Sequence, residues 1–243
     1  LGAIVGADVS ALSGAFAAPT FEQVGQYGVG EDSAAEIIAS DGQILAYSNS
    51  DKGSIDFVSI IDPSNPTSIT SVDVGGEPTS VAIHNGYAIA AINTSESFTN
   101  PSGYVAVIDL WDYQVVKEIV LAGQPDAVAI SPNGKFAAVA IENERDEDLN
   151  DGLIPQYPAG NVAIINLKGD VTYADVRGLA GIAPSDPEPE FVDINDKGEI
   201  VVTLQENNHL VVLDSSGNVI SHFSAGKVDL YDIDDTKDGY YMP

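Results

Sequence analysis

The stretch DAVAISPNGKFAAVAIEN, residues 126–143, consists of two apolar runs on either side of a Ser-Pro-Asn-Gly turn, and it ends on Asn143. Apolar runs of strand length around such a turn mark a β-hairpin. The same layout recurs as AEIIASDGQILAYSN (35–49), TSVAIHNGYAIAAIN (79–93) and EFVDINDKGEIVVTLQEN (190–207). Each copy is followed by a third apolar strand: SIDFVSIID (54–62), YVAVIDL (104–110), NVAIINL (161–167) and HLVVLD (209–214). A fourth, more polar strand then runs to glycine in TSITSVDVGG, QVVKEIVLAG, VTYADVRGLAG and NVISHFSAG. Val128 follows Val81 by 47 residues, and Ile108 follows Ile61 by 47. Four strands at that period are the signature of a β-propeller blade.

The repeat predicts an all-β propeller with blades at about 31–76, 77–123, 124–187 and 188–227. FEQVGQYGVG (21–30) resembles a fourth strand placed ahead of the first complete unit, as a circular closure requires, and is expected to be a closing strand. An incomplete further blade is expected over 228–243, so the remaining blades of a larger ring, or another chain, would complete the structure. Residues 1–20 read as an N-terminal extension: Asp8 interrupts the apolar run and no positive segment precedes it, which argues against a signal peptide.

Composition narrows the functional classes. The chain of 243 residues has no cysteine, so disulfides, thiolate metal sites and a cysteine nucleophile are excluded. Nine basic residues against 37 acidic ones give a net charge of −28, which repels nucleic acid and anionic lipid. Cations screen such self-repulsion best in salty or calcium-rich surroundings, and this points to an extracellular or cell-surface setting. The sequence contains no apolar run long enough for a transmembrane helix.

Propeller geometry puts the loops after the second strands on the same face as the connectors between blades. That face collects Asn49, Asn93, Glu142, Asn143, Glu206 and Asn207 from the loops, and Glu36, Glu77, Asp126, Glu188 and Glu190 from the connectors. Oxygen donors at this density suit Ca2+, which accepts carboxylates, amides and carbonyls, and divalent cations are the expected partners. The competing reading is a set of solvated turns closed by Asx hydrogen bonds.

The insertion ENERDEDLNDG (142–152) crowds six carboxylates around Arg145. Asp146, Asp148 and Asn150 alternate like the start of an EF-hand loop, but Asp151 stands where that loop needs glycine and Tyr157 where it needs glutamate. A looser calcium site or a solvated loop remain. The candidate metal ligands are therefore Glu36, Glu142, Asn143, Asp146, Asp148, Asn150, Glu190, Glu206 and Asn207. DIDDTKDG (232–239) reads as an acidic tail.

No serine-hydrolase, zincin or phosphate-loop motif is present, and no catalytic residue is assigned. His84 falls in a turn on the opposite face and His222 on an outer strand. His209, after QENN, is expected at a strand end on the acidic side, as a surface residue, a base or a ligand.

SAAEI (33–37), IENERDEDLNDGLIPQYPAG (141–160), PEPEFVDI (187–194), TLQENNHLVVLD (203–214) and DIDDTKDG together resemble the choice-of-anchor I propellers, secreted or surface-attached bacterial proteins. The resemblance implies a larger ring and surface attachment. Many such proteins carry the label alkaline phosphatase or phytase-like esterase, although no catalytic signature transfers to this sequence. Two functions follow: a calcium-binding surface or matrix protein, or a calcium-dependent extracellular phosphoesterase.

Overall fold

Each hairpin repeat is extended by two further strands into an antiparallel sheet. The computed structural model describes residues 22–31 and 33–229. The first blade contains β1 (Ala35–Ser40), β2 (Ile44–Asn49), β3 (Ser54–Ser59) and β4 (Thr67–Asp73). The second contains β5 (Glu77–His84), β6 (Tyr87–Asn93), β7 (Gly103–Asp109) and β8 (Gln114–Leu121). The third contains β9 (Pro125–Ile130), β10 (Phe136–Ile141), β11 (Asn161–Asn166) and β12 (Val171–Ala174). The fourth contains β13 (Pro189–Ile194), β14 (Ile200–Leu204), β15 (His209–Leu213) and β16 (Val219–Ser224). Strands pair in chain order within every sheet. The expected extension at 1–20, Phe21 and the segment 230–243, which includes DIDDTKDG, lie outside the described residues.

The first strand of each blade lies innermost: β1 packs on β5, β5 on β9, and β9 on β13. Second and third strands are covered on both faces by neighbouring blades, which is why FAAVAI and YAIAAIN read as nearly continuous apolar runs. Three clusters fill the junctions. Ile55, Phe57, Ile92 and Ile108 join blades 1 and 2; Ala91, Val105, Val139 and Ile141 join blades 2 and 3. Val162, Ile200, Val202 and Leu213 join blades 3 and 4. Outer strands carry polar residues because one of their edges meets water; β16 is exposed throughout.

No comparable packing joins β13 back to β1 among the described residues, so the four blades form an open arc. The outward face of blade 4 leaves Phe191, Val201 and Phe223 exposed. On the outward side of blade 1, residues 22–30 run against Tyr47, Val58, Pro63 and Pro66. They pair into no sheet. A fourth strand is held only by its third-strand neighbour, and for a closing strand that neighbour belongs to a final blade that is not among the described residues.

Candidate functional site

A bulge near the start of each first strand shapes the acidic face. Register shifts fall between Ala35 and Ile38, between Pro78 and Ser80, opposite Val139 and Ile141, and between Pro189 and Val192. The extra residue at these bulges re-aims a side chain toward the end of the channel. Glu36, Thr79, Asp126 and Glu190 occupy this position in successive blades.

In blades 3 and 4 the acids converge. Glu142, Glu144, Glu188, Glu190 and Glu206 line one cavity of about 520 Å³, with Arg145 in its wall. Glu142 is fixed where β10 ends, its amide donating to the Gln124 carbonyl at 3.0 Å. Gln124 also braces Glu144, donating to its carboxylate at 3.1 Å and accepting its backbone N–H at 3.0 Å.

Arg145 is the one cation buried among them. It bonds the Asp186 carboxylate at 3.0 Å and the Asp186 carbonyl at 2.8 Å, and it pairs with Glu188. Glu188 is only 3% exposed, and its second carboxylate oxygen has no hydrogen-bond partner among the described residues. Gln156 ties the far side of the insertion to the same pair by donating its N–H to Asp186 at 2.6 Å.

One buried cation does not neutralise this many carboxylates. Burial, followed by repulsion from Asp126, Glu190 and Glu144, pushes the Glu142 carboxyl up to about 8, and Arg145 offsets only part of the shift. Burial and the charges of Glu190 and Glu144 raise Asp126 to about 7. Glu190 is raised as well, by burial and then by Glu206. Glu142 in the cavity wall, and Asp126 coupled to it, thus exchange protons near neutral pH.

The structure divides the ligand set expected from sequence. It brings together Glu142, Glu190 and Glu206. Glu36 lies in blade 1, exposed, and accepts a hydrogen bond from Ser50 at 2.8 Å. Asp146 and Asn150 border a separate small cavity with Phe98, Leu149 and Tyr157. Asp146 accepts the Asp148 N–H at 3.0 Å, an Asx turn within the loop.

Asn143 and Asn207 have a different task. Asn143 accepts the Gln124 N–H at 2.9 Å and donates to the Ala159 carbonyl at 3.1 Å. Asn207, 1% exposed, accepts the Glu188 N–H at 2.9 Å and donates to the Asp186 carbonyl at 3.0 Å. Asn49 does the same for the Ala34 N–H at 3.3 Å. In blades 1, 3 and 4 the amide that closes the hairpin repeat thus latches the connector entering its own blade, whereas in blade 2 Asn93 accepts the Ser95 N–H at 2.9 Å and donates to the Glu77 carboxylate at 3.1 Å. Glycine precedes the latch for a steric reason: a Cβ on Gly123 would strike the Asn143 carboxamide, and one on Gly76 would come within 2.6 Å of the Asn93 carbonyl. Replacing Asn207 with alanine is expected to cost about 2–3 kcal/mol by orphaning a buried N–H and buried carbonyls, lowering the thermal midpoint by about 6 °C. Thermal melts followed by circular dichroism check this; a loss below about 2 °C would remove the latch role.

Sequence reasoning passed over Glu144, Arg145 and Asp186. The usable signal was a single arginine inside an acidic run, since a lone cation there pairs with carboxylates. His209 is not a surface residue: it is buried, and it meets His222 at 3.0 Å rather than any carboxylate. Burial and then the neighbouring imidazole lower its proton affinity. Among the described residues, no three carboxylate or imidazole side chains are placed to hold a metal ion together. No described helix is long and apolar enough to cross a membrane.

The fold places the chain among propellers of known structure. Streptogramin B lyase superposes with a TM-score of 0.57 at 11% identity, covering 81% of this chain and 56% of its own. The Dos1 propeller gives a TM-score of 0.57 at 16% identity over 79% of this chain and 48% of its own. The computationally designed Ika4 protein gives 0.52 at 14% identity over 80% of this chain and 99% of its own. This chain therefore spans only about half the length of the first two, and the likeness concerns the fold alone. No curated protein matches the sequence. The choice-of-anchor I domain matches residues 35–181, from β1 past the end of β12. With three blades of its repeat inside that match, the chain belongs to the choice-of-anchor I domain family, and it builds that domain as a β-propeller.

Proposed function

We propose that this chain is part of a cell-surface β-propeller whose acidic cavity takes up divalent cations, calcium above all, and so couples its stability to the surrounding medium. Family membership supports the surface role. The observation that carries the cation reading is the Glu142, Glu144, Glu188, Glu190 and Glu206 cavity, in which one buried carboxylate oxygen lacks a partner among the described residues. All-oxygen donors suit a hard cation in chemistry. In geometry they form no closed ligand cage, so affinity in the weak range of extracellular calcium modules, roughly 0.1–1 mM, is the expected result.

Calcium at ten times such a dissociation constant would stabilise the protein by about 1.4 kcal/mol, a rise of about 3–6 °C in thermal midpoint. The experiment compares melts in calcium, in chelator, and in sodium chloride of matched ionic strength. An equal rise in sodium chloride would reduce the effect to screening and end the cation-site reading.

A second reading is favoured by one observation. A carboxyl held near 8 stays protonated at neutral pH and can donate a proton to a leaving group, as a calcium-dependent phosphoesterase needs. Adding p-nitrophenyl phosphate to the same samples tests it: chelator-sensitive turnover that disappears in Glu142→Gln supports the enzyme, and no turnover leaves the surface role.

A further inference from the structure

The geometry points to a second site, at the opposite end of the blades: a cavity between blades 2 and 3 that binds a small amphipathic carboxylate, its apolar tail inside and its anionic head on Lys117 and His84. The cavity holds about 330 Å³, within the range of small-ligand pockets. Ile89, Val107 and Ile119 line it from blade 2, and Ile130, Ala137 and Ile165 from blade 3.

Comparison of the junctions shows what is unusual here. At the junction of blades 3 and 4, the turn glycines of blade 4 close down on apolar side chains. A Cβ on Gly217 would sit 3.1 Å from Ala174 and 3.4 Å from Ile164, and one on Gly198 would sit 3.7 Å from the Phe136 ring. At the junction of blades 1 and 2, Phe57 and Tyr113 meet at a tilt with ring centroids 5.0 Å apart. Between blades 2 and 3 the corresponding turn glycines, Gly134 and Gly169, instead face the His84 ring and the Lys117 ammonium. A Cβ on either glycine would collide with its polar partner, and both adopt positive φ, 67° and 86°. Two basic groups thus rest on backbone of the next blade, and Tyr87 and Phe136 add aromatic surface to the cavity wall.

Charge sharpens the argument. Lys117 is the one lysine in the lining of this cavity, which contains no carboxylate side chain among the described residues. In a protein of net charge −28, a cavity lined by a lysine and no carboxylate opposes an anion less than the acidic face does. Lys117 donates to the Lys168 carbonyl, which fixes its position, and an ammonium has further protons to offer a carboxylate.

The test uses the full chain and three probes: octanoate, octan-1-ol for the tail alone, and acetate for the charge alone, titrated by calorimetry and by amide NMR shifts. Octanoate should bind at least about tenfold more tightly than either fragment, with shifts confined to the strands named above. Lys117→Glu should weaken octanoate by about tenfold or more while the circular-dichroism spectrum stays that of the folded protein. Val107→Phe, which fills the cavity, should reduce binding in the same way. The proposal is overturned if octanoate fails to bind, if octan-1-ol binds equally well, or if Lys117→Glu leaves the affinity unchanged.

Discussion

Replacing Arg145 with alanine lowers the thermal midpoint by about 10 °C, the largest single effect expected from this structure. The guanidinium is buried against Asp186 and Glu188, themselves 2% and 3% exposed. Removing it leaves two carboxylates in a wall that already faces Glu142, Glu144 and Glu190. Breaking a buried pair from one side costs about 3–5 kcal/mol, because the abandoned charge keeps its desolvation cost and loses its partner. A protein of this size loses about 2–4 °C per kcal/mol. The insertion should also loosen, since Gln156 is anchored to the same Asp186. Limited proteolysis reports that directly, as new cleavage between residues 144 and 158. Adding Glu188→Gln to the alanine variant should recover part of the loss, because the buried excess charge falls. A melt shifted by less than about 3 °C would show that the pair contributes little.

The second large effect is on pH dependence in chelator. Glu142 and Asp126 are raised in the folded protein to about 8 and about 7, while in the unfolded chain they titrate near ordinary carboxyl values of about 4. Between those limits the folded state binds more protons than the unfolded state, so stability declines as pH rises. The decline should begin near pH 5, continue to about pH 8, and total on the order of 3 kcal/mol, given the coupling between the two groups. Asp56 and Asp175 act in the opposite direction in another window. Hydrogen bonds from Ser71, Asn49, Tyr47 and Ser54 outweigh burial to lower Asp56, and Arg177 lowers Asp175; both lose stabilisation only as pH falls below the ordinary carboxylate range. Cation-free protein is therefore most stable at about pH 5. Glu142→Gln removes the largest source of the decline and flattens the profile above pH 6 by about half. An unchanged slope in that variant would place the titrating group elsewhere. Calcium at pH 8 should restore much of what chelated protein loses, since a cation does there what protons do at pH 5.

The blade repeat was legible because its physical cause is local. FAAVAI and YAIAAIN can lie buried on both faces only as interior strands, and the glycines after the fourth strands mark where the next connector must pass a latch. The pairing of residues 22–30 is not legible in the same way, for the opposite reason. FEQVGQYGVG has the pattern of an outer strand, but pairing depends on a neighbour that no local pattern supplies. Half of the acidic site was legible in the same way. The repeat aligned Glu142, Glu190 and Glu206 on one face, and the structure joins them in one cavity. Asn143 and Asn207 could not be resolved, because an amide at a repeated loop position suits a ligand and a latch equally well. Only the Gln124 and Glu188 N–H groups, brought beneath them by the chain path, decide between the two.

By itself the sequence determined the propeller blade, its four-stranded order, the acidic face and the exclusion of cysteine chemistry, since all depend on periodicity and composition. Only the tertiary structure decided which carboxylates share a cavity, that Arg145 is their buried counter-ion, and that blades 2 and 3 part around a basic-rimmed apolar gap. Those outcomes depend on distances between residues tens of positions apart, such as Arg145 with Asp186 or Lys117 with Gly169. Chain packing sets such distances, and no local pattern encodes them.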